Sequence, residues 1–329
     1  MSFDSRYFTI AENELGMIRQ RNARILLERE TEIEKKCPDI AAIEKELSET
    51  TAKVIALIAE GSPDISARLS ELENNNLFLQ EKQRALLVKN GYPADYLDLL
   101  YSCPLCKDSG IYEGKRCKCV MEIVKKAAAE ELNRTSPMRL AGFEEFSLNY
   151  YDDKTPTMLG CTAREAMEEN LAFCKRYAEE FHFPAKSILL RGKTGLGKTH
   201  LSLSIASVVI EKGYSVVYGS APDLFRRIEK EHFSNSGDDS VIDALENADL
   251  LILDDIGAEF ESKFYNSVFY NILNNRLNAS LPTIISTNLD LSEIKERYGD
   301  RITSRLLTME NLIFVGSDIR ILKNRGNDK

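Results

Sequence analysis

The feature that most constrains this 329-residue chain is the stretch Gly192-Lys193-Thr194-Gly195-Leu196-Gly197-Lys198-Thr199, a complete GxxxxGK[ST] loop. Ser187-Ile-Leu-Leu190 reads as a buried strand running into it, and His200 to Ile210 reads as a helix leaving it. A glycine-rich turn between a strand and a helix N-terminus is a phosphate cradle. Backbone N–H groups and the helix dipole meet the anion, Lys198 is placed for the β and γ phosphates, and the Thr199 hydroxyl is placed for Mg²⁺. His200, the first residue after the motif, joins the candidate ATP-binding set.

Two further apolar strands end in polar residues. Ala248-Asp-Leu-Leu-Ile-Leu253-Asp254-Asp255-Ile-Gly257 closes on two carboxylates, as the acidic partner of a phosphate loop should. Asp254 is assigned to the magnesium shell and Asp255 to orienting the attacking water, with Glu259 as a substitute. Taken alone, two acids could merely solvate a strand end. Pro282-Thr-Ile-Ile-Ser-Thr287-Asn288 places Asn288 where it could sense the γ-phosphate, although a strand-end Asn more commonly caps a turn. Short apolar runs alternating with helices predict a parallel α/β sheet for this half of the chain.

The first hundred residues are different. Charged, helix-favouring sequence runs from Glu12 to about Lys36, and Pro38 interrupts it. Asp39 to Gly61 and Ile65 to Asn90 follow with apolar residues at helical spacing, and the turn Ser62-Pro63-Asp64 between them predicts an antiparallel helical hairpin. Its role is open between a charged coiled-coil spacer and a surface that docks a partner.

Four of the seven cysteines, Cys103, Cys106, Cys117 and Cys119, fall within seventeen residues around a Gly-containing turn. Closely spaced thiolates can converge on one Zn²⁺, and four of them leave no open coordination position, so the site reads as structural. A reactive dithiol is the alternative, because the second pair has CxC spacing. Cys37, Cys161 and Cys174 read as ordinary thiols. The formal charge of −9 excludes coating of nucleic acid by overall charge, so any DNA contact must be a local basic patch. The start has no basic segment followed by an apolar one, and no apolar run reaches bilayer length, so a cytoplasmic protein without membrane contact is expected.

Together the phosphate loop, Leu251 to Asp255 and Ser286-Thr-Asn288 resemble the AAA+ helicase loaders of the DnaC/DnaI type, relatives of the initiator DnaA and of IstB-type transposition helpers. Gly299-Asp-Arg301-Ile-Thr-Ser-Arg305-Leu resembles the segment carrying that family's arginine finger. The resemblance implies Arg305, or its neighbour Arg301, acting in trans on another subunit's nucleotide, and Arg320 acting in cis as a sensor. A surface ion pair is the ordinary fate of either. Ser220 to Lys230 occupies the place of the family's inserted helix. There Phe225, Arg226, Arg227 and Lys230 would suit single-stranded DNA, or Leu224, Phe225 and Ile228 would simply face the core. Phe143 to Phe146 resembles the family's segment beside the adenine, and the short stretch after Arg320 implies no full helical lid.

The expected organisation is a helical region over residues 1–100, a zinc-binding module over 101–135, a linker over 136–160 and an AAA+ ATPase domain over 161–329. The resemblance implies ATP, Mg²⁺ and structural Zn²⁺ as cofactors. It implies a hexameric DnaB-type helicase, single-stranded DNA and further copies of the chain as partners. A transposition helper and an adaptor that binds ATP without turnover are the alternatives.

Overall fold

The computed structural model describes residues 3, 5–60, 64–135, 140–233 and 240–326. The predicted helix stop at Gly61, the turn at Ser62-Pro63 and the first residues of the linker, 136–139, lie outside them. The chain divides into two compact units, Glu12–Cys117 and a second built from Met1–Ala11 with Lys118–Lys329. The first eleven residues, read from sequence as part of the helical region, thus cluster with the larger unit.

The smaller unit is helical. α1 (Ser5–Lys36) is followed by α2 (Pro38–Ser48), α3 (Thr50–Glu60) and α4 (Ile65–Lys89). The hairpin is antiparallel: Gln83 of α4 donates to Glu44 of α2, and Thr50 of α3 donates to Asn76 of α4 at 2.9 Å. Ile33, Cys37, Ile40 and Leu87 form its buried centre, with Tyr92, Tyr96 and Leu97 packed against them. The sequence suggested one helix from Asp39, whereas the structure breaks it at Glu49. The interruption is slight, since Glu49 keeps helical φ/ψ (−72°, −13°) and its amide still bonds the Lys45 carbonyl (3.2 Å), which Ser48 Oγ shares at 2.8 Å. After α4 a short hairpin, β1 (Ile111–Tyr112) and β2 (Lys115–Arg116), turns on Glu113 and Gly114, both at positive φ (51° and 73°).

The larger unit continues with α5 (Lys118–Thr135), α6 (Ala163–Glu179), β3 (Ile188–Arg191), α7 (Lys198–Glu211), β4 (Val216–Ser220), α8 (Ala221–His232) and α9 (Ser240–Asn247). It closes with β5 (Leu250–Ile256), α10 (Lys263–Asn278), β6 (Thr283–Thr287), α11 (Leu291–Leu306), β7 (Glu310–Ile313) and α12 (Ile319–Gly326). The five strands from β3 onward form one sheet, all parallel, in the order β4-β5-β6-β3-β7. β3, which feeds the phosphate loop, is therefore central, with β6 between it and the acidic strand β5. β3, β5 and β6 are almost wholly buried, as strands covered on both faces must be, with Ile and Leu dominating β3 and the first half of β5 and hydroxyl residues flanking Ile284 and Ile285 in β6.

The open edge of this sheet is managed explicitly. Asn133 of α5 donates to the Val216 carbonyl (2.7 Å) and accepts from the Tyr218 amide (3.0 Å), so its side-chain amide imitates a neighbouring strand along β4. At the far end of β5 and β6, Arg276 is fully buried. Its guanidinium donates to Thr283 Oγ1 and to the carbonyls of Leu245, Ala248 and Pro282, closing the segment that leads into both strands. Among the described residues no helix is long and apolar enough to cross a membrane.

Candidate active site

β3 delivers the chain to Gly192, and α7 starts at Lys198 with Gly197 as its N-cap at φ 89°. Only glycine serves at Gly197: a Cβ there would lie 2.7 Å from the Phe146 ring, on top of the unfavourable φ. Lys198 is buried, and its ammonium donates to the carbonyls of Gly192 (2.6 Å) and Lys193 (2.9 Å), so the amine is held across the loop's concave side. Burial pulls its pKa below the ordinary lysine value, while Asp255 and Asp254 work against that shift.

The two acids of β5 face different tasks because the strand is irregular. Its pairing with β6 shifts register between Leu253 and Ile256, and Asp255 takes a positive φ of 56°. Strict alternation would send adjacent side chains to opposite faces, and the bulge re-aims the second acid toward the phosphate loop. Asp254 is buried and accepts from Thr199 Oγ1 (2.9 Å), Tyr218 OH (3.1 Å) and Ser286 Oγ. Asp255 instead lines the cleft with Thr194 to His200 and Arg320. Its carboxyl is held above the ordinary Asp value, chiefly by burial and then by the Asp254 charge.

That shift sets the sign of a prediction. A carboxyl whose folded pKa is raised contributes stability as pH falls through it and costs stability once ionised above it. Asp255→Asn should therefore leave the melting temperature unchanged or higher at neutral pH and keep nucleotide binding. If Asp255 is the water-orienting group, turnover should fall on the order of 10²-fold. Parallel calorimetry and phosphate-release assays check this, and undiminished turnover would take the role from Asp255. The same raised pKa predicts that turnover is lost, as pH falls, sooner than an ordinary aspartate would allow.

The remaining predicted residues are distributed around this centre. Asn288 follows β6 and is exposed, and the β6 side chain that reaches the acids is Ser286, which donates to Asp254 and accepts from the Asp255 amide at 3.0 Å. Glu259 is not a spare base: it is buried and bonded to Tyr298 OH and to the Gly257 amide (2.9 Å). Arg320 lies at the cleft because Ile319 N–H donates to the Gly195 carbonyl (3.0 Å), pinning α12 to the phosphate loop. Arg301 is exposed on α11. Arg305 stacks 4.4 Å over Tyr270 and donates to Tyr270 OH and Asn274 Oδ1, and neither arginine lines the cleft.

Phe225, expected at a single-stranded DNA contact, does not face solvent. It is 1% exposed, with its ring stacked on Tyr265 at 5.4 Å, so it belongs to the core with Leu224 and Ile228 and cannot meet a base. Arg227 donates to the Leu132 carbonyl (3.3 Å). Arg226 and Lys230 remain exposed, and Phe233, 72% exposed just past α8, completes the same i, i+4, i+7 stripe.

The segment expected as a linker itself contributes a wall of the cleft. Two 3₁₀ turns, Phe143–Glu145 and Leu148–Tyr150, bring Phe146 and Tyr150 to the phosphate loop. Tyr151 is buried and donates to the Leu196 carbonyl (2.9 Å), and Phe146 lies 5.8 Å from its ring and 5.6 Å from that of His200. A flat aromatic beside a phosphate cradle suits a nucleobase. The cleft thus suits a nucleotide, and Thr199 and Asp254 bring oxygen atoms that could hold a Mg²⁺ ion.

The sulfur atoms of Cys103, Cys106, Cys117 and Cys119 lie within 4.8 Å of one another, and none of the four is in a disulfide. Cys103 and Cys117 are 3.8 Å apart, much too far for a disulfide. A tetrahedron with Zn–S bonds of about 2.3 Å has edges of about 3.8 Å, so the donor set fits zinc. The buried Asp108 carboxylate accepts from the amides of Ser102 (2.9 Å) and Cys103 (2.7 Å), shaping the first turn. Cys37 and Cys174 are buried and Cys161 half-buried, apart from the cluster.

Fold and site together define a P-loop ATP-binding domain of the AAA+ class. Residues 171–319 match the IstB-like ATP binding protein family. The replicative helicase loader DnaC of Escherichia coli (strain K12) is 31% identical over 144 residues, 43% of this chain and 58% of its own length. The replicative helicase loader DnaI of Bacillus subtilis (strain 168) is 24% identical over 297 residues, 79% of this chain and 94% of its own. The chain thus spans little more than half the length of the DnaC relatives it matches. Among solved structures, DnaI has a TM-score of 0.44 at 25% identity, covering 55% of this chain and 90% of that one. The DnaC helicase loader has a TM-score of 0.43 at 24% identity, covering 53% and 98%.

Proposed function

We propose that the protein is an ATP-dependent loader of a replicative DNA helicase. One observation carries the choice of loader over other P-loop ATPases: similarity to DnaI covers 79% of the chain, more than the ATPase unit comprises, and so reaches into the helical unit. The alternative of a transposition helper is favoured by the IstB-like match, but that match is confined to residues 171–319. In the loader reading the helical and cysteine-bearing region grips a hexameric DnaB-type helicase, and the ATPase unit times its placement and release.

The chain's own groups divide the chemistry. Phe146 and Tyr150 orient the base, the loop amides and Lys198 hold the phosphates, and Asp255 orients water for attack on the γ-phosphate. Bound Mg²⁺, held by Thr199 and Asp254, would neutralise charge between the β and γ oxygens. Arg320 approaches from its own subunit, and Arg305 or Arg301 approaches a neighbour's nucleotide, which makes hydrolysis depend on assembly.

The outward stripe of α8 supports a contact with single-stranded DNA through Arg226, Lys230 and Phe233. Phe233→Ala should weaken binding to an oligonucleotide about tenfold, one stacked base, with ATP affinity unchanged. An unchanged oligonucleotide affinity in a fluorescence anisotropy titration would remove the stripe from consideration.

The deciding experiment measures ATPase activity with and without single-stranded DNA and the replicative helicase of the source organism, alongside co-migration on a sizing column. A stable complex with DNA-stimulated turnover supports the loader. Turnover with no complex moves the reading to the transposition helper, and a Lys198→Ala protein that loads helicase normally moves it to the adaptor.

A further inference from the structure

Just past Asp255 the chain turns at Gly257, where φ is 104° and an added Cβ would meet the Leu289 side chain at 2.6 Å. The turn is closed by Glu259, whose side chain is 3% exposed. One carboxylate oxygen accepts from the Gly257 amide at 2.9 Å, and the other accepts from Tyr298 OH. Arg297 donates to the Glu259 backbone carbonyl, and its Nε lies 3.7 Å from the same carboxylate. A buried acid is retained at a cost unless all its acceptors are used, and here they are used on two separate elements.

The second of these elements, α11, breaks one residue beyond Tyr298. Gly299 leaves helical geometry there (φ 74°, ψ 173°), and α11 restarts past it carrying Arg301 and Arg305. Tyr298 is also braced by the Phe269 ring at 5.5 Å, and Thr303 Oγ1 donates back to the Gly299 carbonyl at 2.9 Å. The break is thus fixed on its N-terminal side by the turn that presents Asp255, and the arginines extend from its other side.

We propose that Glu259 is a positioning residue that couples the Asp255 turn of one nucleotide site to the arginine-bearing half of α11, so that the state of a subunit's own site sets the aim of the arginine it offers a neighbour. This rests on the reading above that an α11 arginine acts in trans. Glu259 touches no nucleotide and carries out no chemistry. Its carboxylate makes the turn and the helix break move as one body.

Complementation between two inactive proteins tests it. Donor subunits carrying Asp255→Asn keep their arginines and their bound nucleotide but lose turnover at their own site. Acceptor subunits carrying Arg301→Ala with Arg305→Ala hold nucleotide but lack both arginines. Turnover that returns on mixing reports an arginine acting across the interface. Donors that also carry Glu259→Gln or Tyr298→Phe should restore about tenfold less turnover, a small part of what a finger supplies. The acceptor's nucleotide affinity and KM should stay at their parent values, and the donor should still fold, with its melting temperature lowered by about 2–8 °C for the loss of one buried hydrogen bond. Both substitutions keep volume, and Tyr298→Phe keeps the ring on Phe269, so folding is preserved in at least one of them. Full complementation by the Glu259→Gln and Tyr298→Phe donors overturns the coupling while the trans arginine stands. Parent donors that fail to complement remove the arginine reading, and the coupling falls with it.

Discussion

Lys198→Ala should abolish the nucleotide-dependent rise in melting temperature and reduce ATP turnover by about three orders of magnitude, as loss of a central phosphate contact does. The apo protein should not suffer. Burial holds the Lys198 pKa below its ordinary value. A base whose folded pKa is depressed costs stability while protonated, at all pH values below it, and that cost is relieved as pH rises through it. Removing the amine at neutral pH therefore removes a burden, and the stability of the nucleotide-free protein should be unchanged or slightly higher. The carbonyls of Gly192 and Lys193, now bonded to the amine, turn to water at the half-exposed mouth of the loop. Thermal melts with and without Mg·ATP check both halves. A full nucleotide-induced shift in Lys198→Ala would place the phosphates elsewhere, and a large loss of apo stability would make the lysine a fold residue first. Asp255→Asn is the control, since it should keep the shift while losing turnover.

Legibility in the sequence divides along a physical line. The phosphate loop was legible because its chemistry is local: glycines, a lysine and a hydroxyl at fixed spacing on one turn, whereas Asp254 reaches Thr199 across 55 residues and was marked only by the apolar run that ends in it. The aim of Asp255 was not legible, because it depends on a bulge between β5 and β6, a relation between strands far apart in sequence. Ser286 left no distinct trace, being one of three hydroxyl residues in Thr283-Ile-Ile-Ser-Thr287, and Asn288 at the strand end looks the better candidate because polar strand ends are the commoner site of function. Phe225 failed for a related reason. α8 carries both an apolar face and cations, and only packing against Tyr265 and Phe269 decides which face its aromatic joins. Asn133 and Tyr218 had no sequence signature at all, since one pairs with a sheet edge 83 residues away and the other reaches Asp254 across 36. Glu259 is indistinguishable in sequence from any acid near a strand end, because its burial between the Gly257 turn and Tyr298 is a relation between elements.

Removing zinc should produce the largest change in the smaller unit. The hairpin of β1 and β2 has two residues in each strand, far below what holds a free hairpin together, and Ile111, Tyr112 and Leu105 are exposed. The four sulfurs, within 4.8 Å of one another, give this segment its centre, beside the buried Asp108 that Asn22 and Arg19 of α1 reach. Four thiolates that close on one ion bind with an apparent free energy of about 10–16 kcal/mol near neutral pH, and in so small a module that energy is the folding energy. Metal analysis should find one zinc per chain. Cys103→Ser should lose it, and a chelator should render the segment between Cys103 and Cys119 protease-sensitive. Acid should act in the same direction, because the ligands must be deprotonated, so zinc is retained at neutral pH and released as pH falls. The nucleotide-induced rise in melting temperature should survive, since no cysteine of the cluster lines the nucleotide cleft. Replicative helicase binding should fall with the metal, because the module would present no defined surface. A protein that is free of metal yet resists proteolysis across Cys103 to Cys119 would overturn the zinc assignment, and one that loses zinc but still captures the helicase would move the grip to α2, α3 and α4.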